Sequence, residues 1–238
     1  QQFISDAQSF TTYFNSVATG LGEIQDSVNE EIKSTVENIN AIGKKISLFG
    51  LGSAKFVYSG LGSGAIDTTK TTSLKDALEA EGFQVNPDLY SVYEKSEARV
   101  GKEEDPSAYL DSVADSVKEY NDAAIVVISR NGAEAQDLTE DQLSLSDAEM
   151  SLVKYANDNF DDVIVMLNTA NAIEMGWSDS QYFPNIKACM WVGYPGQEGI
   201  TSIAKALTGE VNPSGRLVDT YAYDAMSAPA TQIFEYGE

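Results

Sequence analysis

The apolar residues of the chain follow two different patterns, and the change falls near residue 40. Over the first part they recur at alternating steps of four and three, which is the spacing of one face of an amphipathic helix. This stripe consists of Phe10, Phe14, Val17, Leu21, Ile24, Val28, Ile32, Val36 and Ile39. Gly20 and Gly22 interrupt it, so the pattern predicts either one helix or two. We expect the stripe to pack on a neighbouring domain; the alternative is a coiled coil with another chain.

From Ala41 onward, short apolar runs alternate with longer segments of helical spacing. The runs are rich in β-branched residues and predict buried strands. The predicted strands cover residues 46–49, 83–85, 124–129, 163–167 and 189–192. The predicted helices cover 74–81, 109–120, a segment capped by Ser146, and 197–207, which ends at Gly209.

This alternation predicts an α/β fold: a three-layer α/β/α sandwich with a mostly parallel sheet covered by helices on both faces. We expect two units, a helical extension over 1–40 and the sandwich domain over 41–238. The polar segments 94–106 and 130–145 are expected to be surface loops.

Ligands of such sheets bind at the loops that follow the carboxyl ends of the strands. The loops after Phe49, Ser129 and Leu167 are therefore the first places to look for a site.

The amino-acid composition of the chain limits the classes of function and partner to expect. The 238 residues are 42% hydrophobic, which is enough for a core and argues against a disordered chain. The net charge of -22 disfavours nucleic acid and anionic membranes as partners but does not disfavour neutral sugars. The low cysteine count leaves the compartment open, with a secreted, cell-surface or cytoplasmic location all possible. No apolar run reaches the length of a membrane span.

The chain has no histidine, and Cys189 is its one cysteine. These facts exclude an intrachain disulfide, Ser-His-Asp and Cys-His arrangements, and most zinc and copper sites. Acid–base chemistry is therefore expected from carboxylates.

Residues 60–64 read Gly-Leu-Gly-Ser-Gly, and glycines at alternate positions let backbone pass where side chains would clash. A phosphate-binding loop would need a following Lys-Ser/Thr pair or the GxGxxG spacing, and neither is present. The segment is therefore interpreted as a tight loop that faces a neighbouring domain or a sugar.

Residues 130–137 read Arg-Asn-Gly-Ala-Glu-Ala-Gln-Asp and directly follow the strongest predicted strand. A carboxylic acid in this loop, Glu134, could protonate a leaving oxygen, and glycosidic cleavage needs such an acid together with a second carboxylate. Since the chain has 37 acidic residues, a solvated Glu134 is the plainer interpretation from position alone.

Two further stretches contain turns. Residues 191–199 read Trp-Val-Gly-Tyr-Pro-Gly-Gln-Glu-Gly and run from a strand into a helix. Residues 209–217 read Gly-Glu-Val-Asn-Pro-Ser-Gly-Arg-Leu, a helix stop followed by a rigid turn. Arg216 is expected to pair with a buried acid or carbonyl.

Together these four stretches resemble the α/β sandwich domain of family 3 glycoside hydrolases, over residues 43–230. The resemblance implies that a barrel domain elsewhere in the parent protein supplies an Asp nucleophile and that the sandwich domain supplies an acid/base Glu. Residues 130–137 are similar to the family's Arg-x-Ser-Gly-Glu-Gly-x-Asp motif, which makes Glu134 the implied catalytic residue. Arg130, Asp137, Gly62 and Ser63 are the implied substrate-binding residues.

The chain departs from the motif at three positions, where Gly132, Ala133 and Ala135 replace the usual Ser and two Gly. A barrel cannot fit beside the sandwich within 238 residues. The resemblance implies a domain of a retaining, exo-acting β-glycosidase that acts on a β-glucoside or oligosaccharide together with its barrel. It also implies that the reaction needs no metal or organic cofactor. The alternatives are a non-catalytic carbohydrate-contacting or scaffolding module, and a flavodoxin-like receiver or nucleotide-binding domain.

Overall fold

The computed structural model describes residues 45–132 and 139–227. The predicted extension over 1–40, Glu134 and Asp137 lie outside the described residues. The strands are β1 (Lys45–Phe49), β2 (Gln84–Val85), β3 (Ala123–Ser129), β4 (Val163–Asn168) and β5 (Ile186–Trp191). The α-helices are α1 (Leu74–Ala80), α2 (Pro87–Lys95), α3 (Ala114–Glu119), α4 (Asp147–Asn159) and α5 (Gly199–Leu207).

In the described part of the chain, these strands form one sheet in the order β2-β1-β3-β4-β5, and every pair is parallel. The central strands β3 and β4 are buried along their whole length. Helices on both faces of a parallel sheet bury both sets of alternating side chains, which is why these strands are continuous apolar runs. The predicted parallel sheet is confirmed.

The two faces of the sheet carry separate cores because successive strand residues point to opposite sides. Leu48, Ile125 and Val127 pack with α1 and α5 on one face. On the other face, Phe49 and Val126 pack with α2, α3 and α4. The three-layer α/β/α sandwich is therefore confirmed.

The strand order creates a switch point between β1 and β3. The chain leaves β1 towards α1 on one face, and it leaves the adjacent β3 towards α4 on the other face. Where neighbouring strands send their connections to opposite faces, a crevice opens at their carboxyl ends. Any ligand site of this fold is expected there.

Two glycines allow the loop after β1 to lie against β3. Gly50 has a φ of +90°, and a Cβ at this position would lie 2.5 Å from the carbonyl oxygen of Val127. A Cβ on Gly52 would lie 2.1 Å from the Oγ of Ser129. Larger residues at these positions would therefore push the two loops of the switch point apart.

The helices differ from the sequence prediction in two places. The predicted helix over 109–120 is wrong in its first half, where a 3-10 turn, Leu110–Val113, precedes α3. Helix α2 was not predicted, although Asn86 caps its first amides and Pro87 occupies its first turn. No described helix combines the length and apolar character that crossing a membrane requires.

Candidate functional site

Asn168 ties together the loops at the carboxyl edge of the sheet. It ends β4, and its side chain is fully buried. Its Oδ1 accepts hydrogen bonds from the Val57 amide at 2.8 Å and the Ser129 hydroxyl at 2.9 Å. Its Nδ2 donates to the carbonyls of Val57 at 2.8 Å and Gly193 at 2.7 Å. One amide side chain thus fixes the loop after β1, the end of β3 and the turn after β5.

Arg130, the first residue after β3, is buried in an ion pair. Its guanidinium donates to both carboxylate oxygens of Glu149, at 2.5 and 2.8 Å, and to the carbonyls of Ser129 and Ser144. Glu149 also closes a capping box with Ser146 at the start of α4. The pair therefore joins the end of β3 to the first turn of a helix.

The loop over 60–64 also lies near the segment that follows β3. It includes a 3-10 turn, Gly62–Gly64, and Gly62 and Ser63 are exposed. The amide of Leu61 donates to the carbonyl of Gly132 across 3.5 Å, so the glycine loop meets the segment that follows β3. Two stretches that the sequence analysis singled out separately are neighbours in the fold.

Tyr194, from the 191–199 stretch, contacts this segment from the other side. Its hydroxyl donates to the carbonyl of Arg130 at 2.8 Å and accepts from the amide of Gly132 at 2.9 Å. Burial raises the pKa of the Tyr194 hydroxyl, so it remains a protonated donor at neutral pH.

A polar cavity of about 730 Å³ opens beside the Arg130–Glu149 pair. Its lining includes Glu103, Arg130, Asn131, Gln142, Ser144 and Glu149. Within residues 45–132 and 139–227, no cluster of acidic, cysteine or histidine side chains has the arrangement of a metal site.

Glu103 is a carboxyl group in this cavity with an altered acidity. Burial raises its pKa to about 7, and the negative charges of Glu149 and Glu104 add to the increase. The Leu51 amide, which donates to Glu103 at 2.8 Å, and the positive charge of Arg130 lower the pKa in part. Segment 94–106 is therefore not purely a surface loop. The same correction applies to the start of segment 130–145, where Arg130 is buried.

Glu103→Gln is expected to stabilise the chain at alkaline pH. Below about pH 4.5, Glu103 is protonated in both the folded and the unfolded chain, so the substitution changes little. As the pH rises from there to about 7, the unfolded chain ionises while the folded chain holds the proton, and the wild type loses stability. At pH 8 the variant should gain up to about 3 kcal/mol in free energy of unfolding, measured by urea denaturation.

Glu97→Gln is the matched control, because Glu97 is an exposed acid of the same segment and does not act on Glu103. It removes the same charge from a chain whose net charge is -22, and so it measures the relief of general repulsion. Equal gains for the two variants, or a Glu103→Gln gain that does not depend on pH, would contradict the assignment.

Known proteins share the sequence and the fold of this domain. Residues 39–237 match the family model described as the glycosyl hydrolase family 3 C-terminal domain. This match covers most of the chain. The chain belongs to glycosyl hydrolase family 3.

Two relatives of this family 3 domain are bacterial β-glucosidases. It is 32% identical to a β-glucosidase of Ruminococcus albus over 201 residues, which are 79% of this chain and 21% of that protein. It is 31% identical to β-glucosidase A of Butyrivibrio fibrisolvens over 227 residues, covering 81% of this chain and 27% of that protein. The chain thus spans about a quarter of the length of these relatives.

Solved structures show the same fold. A β-glucosidase from Paenibacillus barengoltzii superposes with a TM-score of 0.71 at 28% identity, over 88% of this chain and 26% of that one. β-Glucosidase 3B from Thermotoga neapolitana, in complex with glucose, superposes with a TM-score of 0.65 at 28% identity, over 79% of this chain and 28% of that one.

The residues predicted from sequence have different positions in the family 3 domain. Arg130 lies at the switch point, and Gly62 and Ser63 lie in the loop that meets Gly132. Arg216 is exposed, and among residues 45–132 and 139–227 it forms no ion pair, so its expected pairing with a buried group stays a prediction. The roles of Glu134, Asp137, Arg130, Gly62 and Ser63 in catalysis or binding stay predictions.

Sequence reasoning missed four residues of this edge. Glu149 stands three residues after Ser146, the spacing of a capping box, and could have been found from that signal. Tyr194 and Asn168 stood in segments already singled out, but their partners are remote in sequence. Glu103 follows no pattern that separates it from the other acids of its loop.

Proposed function

We propose that this family 3 domain is one half of the active site of a retaining, exo-acting β-glycosidase with β-glucosidase-like specificity. Glu134 is the acid/base residue, and an Asp of a barrel domain is the nucleophile. The β-glucosidase relatives support the substrate class.

The observation that carries the proposal is the position of Gly132. It lies just past the carboxyl end of β3, on one side of the switch point, and against the glycine loop. Glu134 follows it by two residues in the sequence. Parallel sheets bind ligands at this kind of crevice.

The reaction has two steps. In the first, the Asp carboxylate attacks the anomeric carbon while Glu134 gives its proton to the departing glycosidic oxygen. In the second, Glu134 takes a proton from water, the water oxygen bonds to the anomeric carbon, and the Asp is released. Because two displacements invert the carbon twice, the product keeps the β configuration.

The other predicted residues divide into two roles. Gly62 and Ser63 are exposed, and their loop closes one wall of the sugar site together with the 130–137 loop, with Asp137 as a further sugar ligand. The guanidinium of Arg130 is bound to Glu149 and to two carbonyls. These contacts favour a role for Arg130 in holding the loop rather than in binding the sugar.

The parent protein is expected to hydrolyse aryl β-D-glucosides and to release the β anomer first, which NMR of the fresh product detects. The present chain alone should give no turnover above buffer, since it lacks the nucleophile. Release of the α anomer would contradict the two-step mechanism. Turnover by the chain alone at the rate of the complete enzyme would contradict the shared site, and an inactive parent would favour the non-catalytic module.

A further inference from the structure

The turn that carries Tyr194 is anchored at both ends. The carbonyl of Gly193, a residue with a φ of +55°, accepts the Nδ2 hydrogen bond of Asn168. The amide of Gly196 donates to the carbonyl of Tyr58 at 2.8 Å. The backbone on either side of Tyr194 is therefore fixed to the sheet edge, and its ring has a defined direction.

The hydroxyl of Tyr194 acts as both hydrogen-bond donor and acceptor towards one short segment, residues 130–132. It donates to the carbonyl of Arg130 and accepts from the amide of Gly132, which lie 64 and 62 residues earlier in the sequence. A Cβ on Gly132 would lie 3.5 Å from this oxygen, so the approach is close but not strained. The two bonds define the backbone orientation on both sides of Asn131.

Arg130 is held independently through its side chain, which Glu149 binds with both oxygens. At the start of the loop, Glu149 thus fixes the side chain of Arg130, and Tyr194 fixes the carbonyl of Arg130 and the amide of Gly132. Glu134 is two residues beyond Gly132, and two residues of chain span at most about 7 Å. A rotation of the Gly132 peptide would therefore act directly on the segment that carries the proposed acid.

We infer that Tyr194 is a positioning residue: through the carbonyl of Arg130 and the amide of Gly132 it fixes the backbone from which the chain continues to the proposed acid, Glu134. The inference rests on the proposed function of Glu134. Proton transfer to a leaving oxygen requires hydrogen-bond reach, so a misdirected acid affects chemistry more than binding.

The test is Tyr194→Phe in the full-length parent enzyme, which keeps the ring and removes the hydroxyl. For alkyl β-glucosides, which need a proton on the departing oxygen, kcat/KM should fall by about tenfold or more. For 2,4-dinitrophenyl β-glucoside, which leaves without a proton, the loss should stay below about threefold. The inhibition constant of glucose should not change, and it also reports that the site is folded.

Tyr58→Phe is the matched control. Tyr58 is another half-buried tyrosine near this edge, and its hydroxyl donates to a backbone carbonyl, that of Thr72, at 2.8 Å. Its loss should affect both leaving groups equally and weakly. A similar leaving-group dependence in Tyr58→Phe would show a general softening of the fold and would overturn the inference.

A double-mutant cycle separates this inference from the proposed function. If Tyr194 acts through Glu134, adding Tyr194→Phe to Glu134→Ala should lower kcat/KM by less than about twofold further. An equal loss in both backgrounds would mean that Tyr194 acts independently and would overturn the inference alone. If Glu134→Ala itself shows no leaving-group dependence, the proposed function fails first.

Discussion

Glu134→Ala in the full-length enzyme is expected to lower kcat/KM for substrates with poor leaving groups by about 10²–10⁴-fold. General acid catalysis matters most when the departing oxygen is basic, as it is in alkyl glucosides and disaccharides. An activated aryl leaving group needs no proton, so its release should be nearly unaffected while water attack on the glycosyl-enzyme slows. The measurement is kcat/KM and kcat across a series of aryl and alkyl β-glucosides.

Azide supplies the second half of this test. A small anionic nucleophile needs no general base, so it should restore turnover of the activated substrates by Glu134→Ala and yield a β-glycosyl azide. Denaturation of the variant, measured in parallel, separates catalytic damage from unfolding. If good and poor leaving groups lose rate equally and azide has no effect, Glu134 is not the acid/base. Asp137 and Glu103 are then the next carboxyl groups to test.

Glu149→Leu is expected to lower the free energy of unfolding by about 3–5 kcal/mol. The side chains of Arg130 and Glu149 are each only 5% exposed, so water cannot replace the lost carboxylate. The guanidinium would keep only carbonyl partners for a full charge. The substitution also removes the capping box of α4. Chemical denaturation of the chain gives the difference.

An ion pair on the same helix provides the control. Asp158 pairs with Lys154 at i,i+4 spacing, and both side chains are about half exposed or more. Asp158→Leu should change stability by no more than about 0.5 kcal/mol. Arg130→Met combined with Glu149→Leu should cost clearly less than the sum of the single losses, because no charge is then left buried. Additive losses would show that the pair is not the source of the effect.

The strands and the layer order could be predicted from the sequence because their signal is local. A central strand such as β3 is apolar at every position before its last residue, Ser129, since helices cover both sides of it. The helices were less certain. Residues 109–120 have helical periodicity, yet Leu110–Val113 forms a 3-10 turn, so the α-helix is limited to α3.

The site could be predicted only in part because its decisive contacts join remote residues. The glycine loop and the segment after β3 each carried a sequence motif, but their contact, between Leu61 and Gly132, depends on the strand order. The resemblance implied Arg130 as a substrate-binding residue, but no pattern in the sequence indicated its side-chain partner Glu149, which is 19 residues away. The raised pKa of Glu103 depends on burial by surrounding loops, which its own sequence neighbours do not encode.

The four hydrogen bonds of Asn168 have a consequence for how the edge of the sheet that carries the candidate site can move and evolve. Because one side chain connects the loop after β1, the end of β3 and the turn after β5, opening any one of them breaks a hydrogen bond to Asn168. The amide of Val57 should therefore exchange its hydrogen with solvent only in openings that involve the sheet, although it lies in a loop. Insertions that alter substrate preference would be tolerated in the loops beyond the residues that bind Asn168. The residues that bind Asn168 would open only when the core itself unfolds.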